Sequence, residues 1–326
     1  MIGPYHIYAV LAALALQGGA AVAALADDHL DVDYAEVQPL AAESVLLDVT
    51  RIDDRLVAVG ERGHVVWSDD GVRWEQAETV PTRSTLTTVV AVGKRLWAAG
   101  HDAVIITSGD NGRTWSRQFF DPERQQAVMD LYFTDEQNGV AIGSYGLYLV
   151  TDDGGRSWND SVVDEENQYH LNAMVRFPDG VRLIAGEAGY SYRSPDDGVT
   201  WAPLDLPYQG SMWGALISSR GCAVFFGLRG HIQQSCDSGD HWVELASGTQ
   251  ASLSGAAEQQ GMLVIVGNNG TVLTWTGGGF TAHQLSSGVD LADVMPLSGG
   301  RFLLVGEGGW HLFPENGATP QQGGAE

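Results

Sequence analysis

After residue 30 the chain shows short apolar runs and almost no apolar residues at helical spacing, which favours strands over helices. Seven of these runs close on a glycine: Gly60, Gly100, Gly143, Gly186, Gly227, Gly267 and Gly306, at intervals of 39 to 43 residues. A period near forty, built from short strands and glycine-rich turns, is that of one four-stranded propeller blade. Seven glycines therefore predict an all-β, seven-bladed β-propeller of antiparallel blades. In the second unit, Leu86–Val92 is expected as the inner strand, Arg95–Gly100 as the second and Ala103–Ser108 as the third, with a short outer strand from Trp115. The other inner strands should begin at Leu46, Val128, Leu171, Met212, Leu253 and Leu291. Each run is dominated by apolar or small residues, as packing of blade on blade requires.

The seventh unit ends in a Pro-, Gly- and Gln-rich stretch with no convincing fourth strand. Tyr34–Ala41, "YAEVQPLA", is expected to supply that strand and close the ring. The propeller domain should thus span 27–317, followed by a flexible tail at 318–326. Ahead of it, an Ala/Leu-rich run and the Ala24-Leu25-Ala26 triplet predict a secretory signal peptide over 1–26, with an uncleaved anchor as the alternative. No later stretch has the length of a membrane helix, so an exported, periplasmic or lumenal protein is expected, with no direct membrane insertion after cleavage. The formal charge of −24 and a single lysine, Lys94, argue against nucleic acid as a partner.

Five units share a turn: "WSDDGVRW", "SGDNGRTW", "TDDGGRSW", "SPDDGVTW" and "SCDSGDHW". This S/T-x-D-x-G-x-x-W pattern resembles the Asp-box, or bacterial neuraminidase repeat. Aligned on the aromatic, its members are Asp69, Gly71 and Trp74; Asp110, Gly112 and Trp115; Asp153, Gly155 and Trp158; Asp196, Gly198 and Trp201; and Asp237, Gly239 and Trp242. Aspartate can accept amide hydrogen bonds within its turn, glycine allows a positive φ, and the indole can cap the hairpin. A calcium loop is excluded by spacing, since no copy has alternating oxygen ligands ending in Glu at position twelve. The boxes are read as structural.

The turns between second and third strands lie on the opposite face: "GERG", "GHDA", "GSYG", "GEAG", "GLRG", "GNNG" and "GEGG". Their varied central residues on a constant frame make a candidate binding face. It carries Glu61, Arg62, His101, Asp102, Tyr145, Glu187, Arg229 and Glu307, with Arg83, Arg124 and Tyr169 from the connections between blades.

Taken together, the G-x-x-G turns, the D-x-G-x-x-W turns and the blade count over residues 34–315 resemble the photosystem II stability/assembly factor family. That resemblance implies a non-enzymatic propeller that binds a membrane protein or its complex and assists its assembly; a monomer without cofactor is expected. It also implies an arginine patch, for which Arg62, Arg83, Arg124 and Arg229 are the candidates. The alternative is a sialidase-like glycoside hydrolase, because Asp48, Asp130 and Asp293 share the third position of inner strands, where channel carboxylates could act as acid and base. The chain lacks an R-I-P motif and has one blade too many for that class. No H-E-x-x-H or paired histidine spacing supports a metal. Cys222 and Cys236 flank the "GLRG" turn, and whether they can bridge depends on register: a two-residue turn sets Cys222 opposite Ser235, one extra residue sets it opposite Cys236.

Overall fold

The computed structural model describes residues 32–315; the expected signal peptide and the tail lie outside them. Seven antiparallel sheets follow one another along the chain, with inner strands Leu46–Ile52, Leu86–Val92, Val128–Phe133, Leu171–Arg176, Met212–Ile217, Leu253–Gln259 and Leu291–Pro296. Six sheets have four strands, and the seventh has three. Neighbouring inner strands touch all the way round, and the seventh returns to the first. The fold is a closed seven-bladed propeller.

Its core is divided among the seams between blades. Seven buried apolar clusters each join one blade to the next, including the pair formed by the last and the first. The second strands, such as "RLWAAG" at Arg95–Gly100, are buried on both faces because each serves two seams. That is why they read as continuous apolar runs instead of alternating ones. The periodic glycine has a separate cause. At Gly60, Gly100, Gly143 and Gly267 the backbone is extended, but an added Cβ would collide with the carbonyl oxygen just before the inner strand, at Val45, Thr85, Ala127 and Ser252 respectively.

Two sequence expectations are corrected here. Tyr34–Ala41 does not form a strand of the seventh blade. Pro39, which has no N–H and disfavours a ladder, starts a turn that leads into a 3-10 helix at Ala41–Glu43, packed on the last strand, Gly309–Phe313. The preceding residues run along the outer edge of the first blade instead: the Ala35 N–H donates to Val80 O at 3.0 Å, and the Gln76 side chain accepts from Gln38 N–H at 2.7 Å while donating to Glu36 O at 2.9 Å. The third strand of the second blade begins at Ile105, not Ala103, because His101–Ala103 form a three-residue turn in which Ala103 has φ 50°.

Candidate functional site

The Asp-box turns occupy one face. In four blades a strand-end hydroxyl donates to the aspartate two residues on (Ser108 to Asp110, Thr151 to Asp153, Ser194 to Asp196, Ser235 to Asp237) at 2.8–2.9 Å. The same hydroxyl accepts the glycine N–H, as Ser108 does from Gly112 at 3.0 Å. Burial by itself would raise the Asp110 carboxyl, but donation from the Thr114 hydroxyl and N–H, from Ser108 and from the Arg113 N–H holds it below the usual range. Asp153 and Asp237 are held down at about 2, chiefly by amide donors in their own turns.

In the first blade the role belongs to Asp70, not Asp69. Asp70 accepts from Ser68 and from the Val72 and Arg73 N–H groups, whereas Asp69 pairs with Arg55 at 2.7 Å. This copy is one residue shorter, and the partner is fixed by distance from the strand-end hydroxyl, not from Trp74. The indoles also reach across seams: Trp115 joins the buried cluster that includes Val57 and Ile52 of the preceding blade, and Trp74 packs against the cluster that includes Leu297 and Leu303 of the last. Beside the fifth box, Cys222 and Cys236 form a disulfide. The turn between them has three residues, Leu228–Gly230, and the resulting register pairs Ala223 with Ser235.

The G-x-x-G turns ring the opposite face. In all seven, the first residue after the periodic glycine donates its N–H to the carbonyl preceding the inner strand, at 2.9–3.1 Å. The next residue takes the left-handed conformation: Arg62, Asp102, Tyr145, Ala188, Arg229 and Asn269 have φ of 53–58°, and Gly308 has 72°. A fixed backbone thus presents a variable side chain. Arg62 and Arg229 are exposed on the turns of blades 1 and 5. Asp102 accepts from Ser84 at 2.6 Å, beside exposed His101, and Glu307 accepts the Asp290 N–H. Arg83 is drawn to Asp33 and Glu36, and Arg124 is held by Asp160, at 2.6 and 2.8 Å, and by Asp121. Two of the four arginines proposed for a patch are therefore already paired with carboxylates.

Sequence reasoning missed a second ring. Every blade has a register irregularity at the start of its inner strand, between its first and third residues or at their partner glycine. Such a bulge re-aims a side chain. The second residues, Leu47, Thr87, Met129, Asn172, Trp213, Ser254 and Ala292, all line the channel mouth on this face, a cavity of about 410 Å³ that His170, Glu187 and Ser211 complete. First positions are uniformly apolar, while second positions differ in every blade, so no recurring residue marks them. Also missed were rings that join the predicted Tyr145 and Tyr169 on blades 3 to 5. Tyr145 meets His170 edge to face at 4.9 Å, Tyr169 stacks on Tyr190 at 3.9 Å, and Tyr208 stacks on His231 at 3.6 Å.

Below the mouth, the third-position carboxylates bridge blades. Asp48 accepts the Val89 N–H of blade 2 at 2.6 Å, Asp130 accepts the Met174 N–H of blade 4 at 2.8 Å, and Asp293 hydrogen-bonds Asp48 across the last seam. Thr87, Asn172 and Ser254 donate to the next inner strand's first carbonyl in the same way. Burial raises all three carboxyls; Asp130 reaches about 7, with the Asp48 charge adding to the effect, and Asp293 rises well above the usual range. Among the described residues, no cluster of His, Cys, Asp and Glu could hold a metal ion, and no helix is long and apolar enough to cross a membrane.

Among solved structures, one described as YCF48 bound to D1 peptide superposes with a TM-score of 0.68 at 19% identity, over 86% of this chain and 95% of that one. YCF48 from Cyanidioschyzon merolae gives 0.66 at 17%, over 86% and 98%. The WD40 propeller domain of Doa1 gives 0.66 at 15%, over 86% and 94%, so these likenesses speak for the fold alone. No curated protein sequence matches the chain. The sequence model described as photosynthesis system II assembly factor YCF48 matches residues 118–287, more than half of the chain, and on that ground the chain belongs to this family.

Proposed function

We propose that this chain is an exported, monomeric, non-catalytic propeller that holds a segment of a membrane protein on its G-x-x-G face while a complex is assembled. Family membership carries the reading. The seven constant turns with variable left-handed tips, converging on a channel mouth, supply a surface suited to a polypeptide. A structure of the same fold described as YCF48 bound to D1 peptide supports a protein ligand, and a photosystem membrane protein as one form of it. The channel carboxylates each accept a backbone N–H from a neighbouring blade, which supports a structural use over acid–base work. The test is a photoreactive residue at Arg62 or Arg229, compared in the native host with one at Val199 in an Asp-box turn. Crosslinks to a membrane protein are expected from the first two positions; capture from Val199 alone would reverse the faces.

A further inference from the structure

We propose that the strip on blades 3 to 5, running from Tyr145 through His170, Tyr169, Tyr190 and Glu187 to Trp213 at the channel mouth, takes lysine or arginine side chains of an extended partner segment. This rests on the reading above and names the partner's chemistry.

The rings are accessible. Tyr145 is 57% exposed on a left-handed turn tip and Trp213 is 39% exposed on a bulge, while Tyr169, Tyr190 and His170 are half-buried. Between them stands Glu187, which shares the channel mouth with His170 and Trp213 and accepts the His170 N–H at 3.3 Å. The connection leading into Tyr169 is acidic, with Asp164, Glu165 and Glu166. Farther along, Tyr208 stacks on His231, whose Nδ1 lies 2.6 Å from Glu244. Aromatic faces beside carboxylates attract cations through both the ring quadrupole and the charge.

Elsewhere the chain satisfies its own rings in this manner. Arg55 lies 3.8 Å over Trp67, Arg220 lies 4.7 Å over Trp275, and four further arginine contacts fall on Trp67, Trp97, Phe119 and Phe120. None of these six uses a ring of the strip. Beneath the mouth, the titratable groups among the described residues that line the channel are Asp48, Asp130 and Asp293, so a long cationic side chain entering past Trp213 meets carboxyl oxygens and no opposing cation. Arg124 is neutralised by two aspartates, and Arg229 stands on the blade 5 turn at the strip's far end. With a formal charge of −24, the protein as a whole also draws basic segments toward it.

Fluorescence anisotropy of two labelled twelve-residue peptides tests this, one alternating Lys/Arg with Ser/Gly and the other with Glu in place of the basic residues. The full chain should bind the first and not the second. Trp213→Ala and Tyr145→Ala leave the net charge unchanged and should each weaken binding at least about fivefold, with Trp213→Phe largely restoring it and melting curves unaltered. Equal binding of the acidic peptide would overturn the proposal, and affinity for the basic peptide undiminished in both alanine variants would overturn it and leave net-charge attraction as the explanation. If neither peptide binds while Arg62 and Arg229 still crosslink a membrane protein, this inference falls and the function stands. If only Val199 crosslinks, the binding face is the other one, and the assignment of the function to the G-x-x-G face falls together with this inference.

Discussion

Asp110 accepts from the Ser108 and Thr114 hydroxyls and from the Arg113 and Thr114 amides, so its carboxylate replaces water for most of the donors in its turn. Asp110→Ala should cost about 1–2 kcal/mol in denaturant unfolding and leave partner binding unchanged, because the turn is on the far face from the binding ring. In the first blade the same logic separates neighbours: Asp70→Ala should lower the melting temperature more than Asp69→Ala, since Asp69 loses only its pair with Arg55. The reverse order would restore the alignment on Trp74. Ala103 makes a different case. It has φ 50° at a turn position where Gly63, Gly146, Gly189, Gly230 and Gly270 stand in other blades. An alanine Cβ is strained there, so Ala103→Gly should stabilise the protein by about 1 kcal/mol, read as a rise in unfolding midpoint.

The strands and turns were legible to the extent that backbone needs dictate residue type. Inner strands begin where the apolar runs begin, because each first position is buried at a seam; Leu46, Leu86 and Leu253 are fully enclosed. The repeated glycine was visible because a carbonyl occupies the space of its Cβ. The bulged second positions were not legible, since a bulge leaves its residue free to vary and so erases any recurring letter. The edge taken by Glu36–Gln38 was likewise hidden, because a glutamine side chain, Gln76, does the pairing that a strand would have done. The turns between second and third strands were legible, but which rings stack across blades 3 to 5 depends on contacts between segments some twenty residues apart, beyond any local pattern. For the fifth blade, the register rested on the number of residues in one turn. Its third residue, Gly230 at φ 76°, brings Cys222 to Cys236. Replacing both with serine should cost about 3 kcal/mol, the entropy of a closed loop of this length, checked by unfolding of the oxidised protein against the variant.

Closing the ring requires blade 7 to meet blade 1 without a shared fourth strand, and the inner carboxylates carry part of that junction. Asp293 hydrogen-bonds Asp48 and also faces the Val49 N–H at 3.4 Å, while Arg51 donates to Pro296 O at 2.7 Å nearby. Two carboxyl groups in hydrogen-bond contact hold best when they share a proton, and among the described residues lining the channel Asp130 is the one other titratable group, so no cation there offsets a second charge. The linkage has a definite sign. Folding raises these carboxyls, so the folded state binds more protons than the unfolded chain between about pH 4 and the folded value, which is about 7 for Asp130. The Asp130 contribution is fully present below pH 4 and is lost as the pH climbs through about 7, and those of Asp48 and Asp293 are likewise lost as the pH rises. The Asp-box carboxyls act oppositely: folding depresses Asp153 and Asp237 to about 2, so their contribution is present above pH 4 and lost on acidification. Stability should therefore peak near pH 4–5 and decline toward pH 8. Asp130→Asn keeps an oxygen for the Met174 N–H but cannot ionise, so it should flatten part of that decline. The gain at pH 8 is expected to be about 1–2 kcal/mol, with little change at pH 4.5. Asp293→Asn should flatten it further by removing the pair's second charge at the seam. Urea titrations of the three proteins at the two pH values decide the matter: parallel profiles would mean that the channel carboxylates are ionised and at ease in the folded ring, and that its closure owes nothing to a shared proton.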